Sequence, residues 1–197
     1  ADDEVAALLE GFSRGRLIDE PLFQEAARLV VARVRKLSPR LLTSMLTAFA
    51  CSNVATEHLF FAAGDAVVAC HRHYAPGQLA ELADAFSRVR ARHALLLDTV
   101  PAQFAGQAIR DRRTCSIEAL VKLFSAYVDI RQELGPEGFR EELAESLCER
   151  RGELSSRLMR QVLQAAARSH WPNVRLLEVA AEVASRDPKQ WEVDCMH

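Results

Sequence analysis

The sequence predicts an all-α protein, a right-handed α-solenoid of about five helix-turn-helix repeats of roughly 37–42 residues. Composition is the first reason. In 197 residues there are only eight Gly and seven Pro, and the helix formers Ala, Leu, Arg and Glu outnumber the strand formers Val, Ile, Tyr and Thr. An apolar stripe at i, i+3, i+4, i+7 is the second, because that spacing puts four side chains on one helix face. Recurrence of the stripe at a nearly constant interval is the third, and it marks a repeat architecture.

The first stripe is Val5, Leu8, Leu9 and Phe12. It returns as Leu42, Met45, Leu46, Phe49, then as Leu79, Leu82, Ala83, Phe86, and then as Ile117, Leu120, Val121, Phe124. Met159, Val162, Leu163 and Ala166 close the series, and the steps between last members are 37, 37, 38 and 42 residues. Ten residues after each last member stands a leucine: Leu22, Leu59, Leu96, Leu134 and Leu176. Four further on come Ala26, Ala63, Val100, Gly138 and Ala180, small enough for a second helix to approach its neighbour closely. Each unit therefore reads as helix A, a turn, helix B and a second turn. The repeats fall at about 1–37, 38–74, 75–113, 114–154 and 155–187, forming one domain over 1–187 with a tail at 188–197.

Turn signals agree with this division. Ser38-Pro39 offers a cap and an N1 proline to the second A helix, Ala75-Pro76 does the same for the third, and Ser155-Ser156 caps the fifth. Pro21, Gly135-Pro136 and Pro172-Asn173 stand where B helices should begin. Pro101 falls inside the third B helix, which is expected to start late or to kink there. One helical pair cannot bury both its stripes alone, so consecutive pairs must stack around a shared core. A globular bundle is the alternative, but its helices would vary in register, and the constant offset from stripe to leucine argues against it. The first stripe resembles that of an interior repeat, which points to further repeats or a partner on its N-terminal side.

Other classes are excluded by inspection. The most apolar stretch, residues 59–70, is 12 long and contains Asp65, so no membrane insertion is expected. The start, Ala-Asp-Asp-Glu, is acidic and lacks Met, as if a targeting segment had been removed or the chain were part of a longer one. Cys51, Cys70, Cys115, Cys148 and Cys195 are odd in number and scattered, the pattern of a reducing compartment. No cofactor and no catalytic residue is expected. There is no phosphate-binding glycine loop, nucleophile elbow or His-Glu-x-x-His, and acid pairs such as Asp2-Asp3 and Glu141-Glu142 sit in first turns, where they favour the helix dipole. Cys70-His71-Arg72-His73 with His58 and Cys51 lacks a second ligand pair at a usual spacing, so no metal is expected. Phe12, Phe49, Phe86 and Phe124 lie on the stripe and belong to the core rather than to a base-stacking platform.

The phrases SPRLLTSMLTAFA (residues 38–50) and APGQLAELADAFS (residues 75–87) resemble a narrower group, the heptatricopeptide and octotricopeptide repeats of organellar RNA-binding proteins, including those with RAP domains and the FAST-kinase-like proteins. There, a helix beginning near Ser-Pro runs through Leu-x-x-Leu-x-x-Ala-Phe-Ala, and a second opens with an apolar pair, as Leu22-Phe23, Leu59-Phe60, Leu96-Leu97 and Leu176-Leu177 do here. The resemblance covers about residues 2–187 and carries no RAP domain with it, so no nuclease-like activity follows. It implies a non-enzymatic protein that binds RNA in the mitochondrial matrix or a plastid, as a structural component of an organellar ribosome or another ribonucleoprotein.

Arginine carries the nucleic-acid signal in the residues themselves. Of 25 basic residues 22 are Arg, whose forked guanidinium suits phosphates, while the net charge of −2 confines any contact to local patches. The candidates are Arg14, Arg16, Arg88, Arg90 and Arg92 in turns after A helices, and Arg110, Arg112 and Arg113 at the end of a B helix. The same residues could simply complement helix C-termini. Residues 75–113 hold six Arg and four acids, whereas 114–152 hold five bases and eight acids, so the third repeat is the electropositive one. Expected partners are RNA, with rRNA gripped by its backbone, and other protein subunits at the open solenoid ends. A protein-protein scaffold without RNA contact is the competing expectation, favoured by the acidic fourth repeat.

Overall fold

The computed structural model describes residues 2–52, 54, 57–104, 109, 111–129, 138–186, 188 and 191. Arg110, Leu134, Gly135-Pro136, Cys195 and most of the tail lie outside the described residues. The protein is all-α. Ten α-helices are present among the described residues: α1 (Asp2–Arg14), α2 (Glu20–Arg33), α3 (Pro39–Ser52), α4 (Glu57–Cys70), α5 (Pro76–Arg88), α6 (Ala94–Phe104), α7 (Ile117–Asp129), α8 (Phe139–Glu149), α9 (Ser156–Arg168) and α10 (Val174–Arg186). The odd helices pack in succession, α1 on α3, α3 on α5, α5 on α7 and α7 on α9, while α2 packs on α4, α4 on α6 and α8 on α10. This is a layered helical repeat in which the stripes meet, rather than a bundle of unrelated helices.

The caps hold the phase. Ser38 Oγ accepts from the Leu41 amide, Ser116 Oγ from Ala119 and Ser155 Oγ from Leu158, each satisfying a first-turn donor of an odd helix. Asp19, His93 and Asn173 do the same for α2, α6 and α10, and the amide each takes is that of Leu22, Leu96 or Leu176. In these three helices the recurrent leucine is therefore the third residue, set by a cap three residues earlier. Leu59, Leu96 and Leu176 are buried, whereas Leu22 is half-buried and Phe23 beside it takes the core position. Single 3₁₀ turns, Val34–Lys36, His71–His73 and Arg151–Glu153, follow α2, α4 and α8. Leu37, Tyr74 and Leu154 then extend beneath them, packed against the core.

Aromatic pairs tie the first repeat to the second and the second to the third. Phe23 of α2 meets Phe49 of α3 edge-on at 5.5 Å, and Phe60 of α4 meets Phe86 of α5 at 5.0 Å. Phe12 at the first repeat is only half-buried. In the fifth, Ala166 leaves room that Trp171 helps to fill, 5.9 Å from Phe124. Gly64 in α4 is required by closeness: a Cβ there would stand 2.4 Å from the ring of buried His93. That ring accepts the Leu96 amide at Nδ1, so its Nε2–H donates to Asp65, 3.0 Å away.

Pro101 does not delay its helix. α6 begins at Ala94, seven residues earlier, and runs past the proline to Phe104. A proline there removes the amide that would bond the carbonyl of Leu97. The Tyr127 hydroxyl of α7 donates to that carbonyl instead, at 3.0 Å, inside the core. The freed acceptor thus becomes a link between repeats. Tyr127→Phe should cost about 1–3 kcal/mol in urea melts by stranding a buried carbonyl. The same change in a Pro101→Ala background should cost less, because the restored amide supplies a donor.

Candidate nucleic-acid interface

Helix direction sorts the predicted arginines onto two edges. Because odd helices pack on odd ones, the turns leading from odd to even helices line one edge, and the turns leading back line the other. Arg14, Arg16, Arg88, Arg90 and Arg92 belong to the first edge, and Arg112 and Arg113 to the second. These are the two kinds of position at which the sequence places them, and Arg110 lies outside the described residues.

On the first edge the chain leaves α1, α5 and α9 through the same hydrogen-bonded turn. The Leu17 amide reaches back to the Phe12 carbonyl, Ala91 to Phe86 and Trp171 to Ala166, the long bond of a Schellman motif. The residue before each of these must take the left-handed conformation, usually the role of glycine. Here it is Arg16 (φ 52°), Arg90 (φ 56°) and His170 (φ 53°). A side chain costs about 1–2 kcal/mol in that region, so three non-glycine residues are held there by the surrounding turn. No sequence signal marked these positions, since the glycine that normally betrays such a turn is absent.

The arginines of this edge are not equally committed. Arg14 pairs with Glu10 and Arg88 with Asp84, each at 2.9 Å and one helical turn apart. Arg16, Arg90 and Arg92 are exposed, and their side chains have no ion-pair or hydrogen-bond partner among the described residues. Asp19, capping α2, brings a carboxylate into the turn of Arg16. The turn of Arg90 and Arg92 has His93 at the matching place, and its ring carries the Asp65 carboxylate, so an acid stands behind each turn. These guanidiniums can grip phosphate oxygens through paired N–H donors without breaking an existing contact.

The second edge is built differently. Arg150 is buried, donates from Nη1 to the Cys115 carbonyl at 2.7 Å, and holds both oxygens of Glu153 at 3.1 and 2.8 Å. Arg112 also pairs with Glu153, at 2.8 Å. Arg151 pairs with Glu182, and its carbonyl accepts from Arg186. Arg112 is therefore structural in part, whereas Arg113 is exposed. Arg140 lies over the Trp171 ring at 4.7 Å, a cation–π contact between the fourth and fifth repeats. Burial pushes the Cys115 thiol up to about 11, leaving it a protonated core residue. Among the described residues no group of His, Cys, Asp and Glu could hold a metal, and no helix is long and apolar enough to cross a membrane.

Hydrogen bonds from Arg150 hold the Glu153 carboxyl below its ordinary range. A lowered folded value means stabilisation that is present above the unfolded value and lost as the pH falls through the folded one. Glu153→Gln should therefore flatten the acid limb of a stability-against-pH curve. Arg150→Ala should destabilise by about 1–3 kcal/mol at neutral pH, because it removes the donor to the buried Cys115 carbonyl while Arg112 still pairs with Glu153. No protein-family model matches the chain, and no curated protein sequence matches it.

Proposed function

We propose that this chain is a non-enzymatic helical-repeat protein that contacts RNA in an organelle, as a structural component of a mitochondrial ribosome or another ribonucleoprotein. One observation carries the reading: Arg90 and Arg92 are exposed, with side chains unpaired among the described residues, in a turn that keeps an arginine where glycine is the unstrained choice. Arg16 and His170 repeat the device in the first and fifth units. With a net charge of −2 the surface as a whole adds no general affinity for polyanions. Contact is to the sugar-phosphate backbone, since the edge offers guanidiniums and no regular row of paired polar groups for reading bases. The likeness of residues 38–50 and 75–87 to organellar repeats supports the location.

A second reading, a protein scaffold, is favoured by α8, where Glu141, Glu145 and Glu149 expose a line of carboxylates one turn apart. The two separate by salt. For single-stranded RNA, log K should fall with log salt by about 0.7 for each phosphate neutralised. Arg90→Ala with Arg92→Ala should reduce that slope by about 1.4 and weaken all sequences alike, while Arg113→Ala on the opposite edge should leave it unchanged. A wild-type slope near zero, or one untouched by the double change, would remove the RNA reading and leave the scaffold.

A further inference from the structure

The second edge changes character along its length. Around Arg150 its cations are tied to Glu153, Glu182 and the Cys115 carbonyl. The turns before α3 and α5 hold cations that nothing ties. Arg35, Lys36 and Arg40 stand in or beside the first of these turns and Arg72 in the second, and all four are exposed. Their side chains have no ion pair or hydrogen bond among the described residues. Acids are kept away from them: no Asp or Glu occurs between Glu25 and Glu57, or between Asp65 and Glu81. Carboxylates bound the patch on either side. Asp2 at the start of α1 pairs with Arg33, with Asp3 and Glu4 following it, and Asp111 in the turn before α7 accepts from Thr114 and the Arg113 amide.

The two turns lie side by side. α3 and α5 start at Pro39 and Pro76 and pack on each other, and the turn at Val34–Lys36 packs on α4, which leads directly into the turn of Arg72. Packed helices stand about 8–10 Å apart, close to the screening length of about 8 Å at physiological salt, so the four cations act together on one anionic strand. The first edge is at the other end of the helices. Since α3 has 14 residues, it lies about 21 Å away at about 1.5 Å per residue, well beyond that screening length. Each turn also has described units on both sides, one between the first and second repeats and the other between the second and third. A further repeat stacked on either end of the array would leave both turns open.

We infer that Arg35, Lys36, Arg40 and Arg72 form a second site for an RNA phosphate backbone, separate from that of Arg90 and Arg92, so that one chain holds two RNA segments at once, one on each edge. A phosphate backbone fits the patch better than an acidic protein surface does. Protein interfaces have apolar centres, and no large apolar side chain is exposed in residues 34–41 or 70–78. What these turns offer is open cations alone, which is what backbone contacts use. The inference rests on the RNA reading for its ligand and adds a site which that reading does not assign.

The probe is a single-stranded RNA of about four nucleotides, at the lower end of single-strand site sizes. Stacked at about 3.4 Å per step it reaches about 14 Å, too short to join the two edges. Native mass spectrometry near physiological ionic strength should find two such strands on the wild type. Arg35→Ala, Lys36→Ala, Arg40→Ala and Arg72→Ala together should leave one, and so should Arg90→Ala with Arg92→Ala, each with an unchanged circular dichroism spectrum. Arg35→Lys, Arg40→Lys and Arg72→Lys should keep both strands, because a phosphate accepts either cation. One strand on the wild type would overturn the inference. Two strands on the fourfold alanine variant would overturn it as well and give the patch to an acidic protein surface. A wild type that binds none would instead remove the RNA reading, and this site with it.

Discussion

Close approach of one odd helix to the next is the constraint on which the rest of the molecule depends. Ala48, Ala85, Ala126 and Ala165 are buried on successive odd helices, and a larger side chain at any of them would displace its packed neighbours, since packed interiors have little room to give. Once the odd helices lie at that distance, the aromatic rings have fixed partners. Phe23 can reach Phe49 and Phe60 can reach Phe86 edge-on only because the even helix of one unit lies over the odd helix of the next. The stripes are thus satisfied between units as much as within them, and no single hairpin owns a complete core.

Polar interlocks sit where the repeat is least regular. The fourth unit begins its odd helix at Ile117, directly after the Ser116 cap, so its stripe slides relative to the second and third units and Tyr127 comes to the place held by Phe49. That slide lets a hydroxyl reach the Leu97 carbonyl left open by Pro101. Nearby, Arg150 spans from the turn before α7 to the turn before α9 by binding the Cys115 carbonyl and Glu153 together. A buried cation is tolerated here because all its contacts are charge-assisted or to a carbonyl with no other donor. Irregular spacing and buried polar bonds therefore occur in the same place, and each makes the other affordable.

What could be read from the chain alone follows from this division. Helix existence, the stacking of consecutive pairs and the burial of Phe49, Phe86 and Phe124 were legible, since they arise from spacing, which a linear sequence displays. The capping roles of Ser38, Ser155 and Asn173 were legible in part, because those residue types are favoured at helix starts. His93 as a cap was not, for histidine gives no such signal and its place depends on the absent Cβ of Gly64. The partition of the arginines was equally hidden. Arg112 and Arg90 look alike in sequence, and only the neighbourhood of Glu153, 41 residues from Arg112, distinguishes a tied side chain from an open one.

That partition also shows how a near-neutral protein can keep an exposed cationic edge without weakening its core. Around Arg150 the second edge uses its cations to close carbonyls and carboxylates between units, so changing them alters stability. On the first edge the backbone bonds of the Schellman turns do the closing, with Leu17, Ala91 and Trp171 as donors. The left-handed residue of each turn then has a side chain that the fold does not use. Glycine there would give the same backbone with less strain. The arginine at two of these three places has no side-chain ion pair or hydrogen bond among the described residues, so its exposed charge is one that the turn does not need.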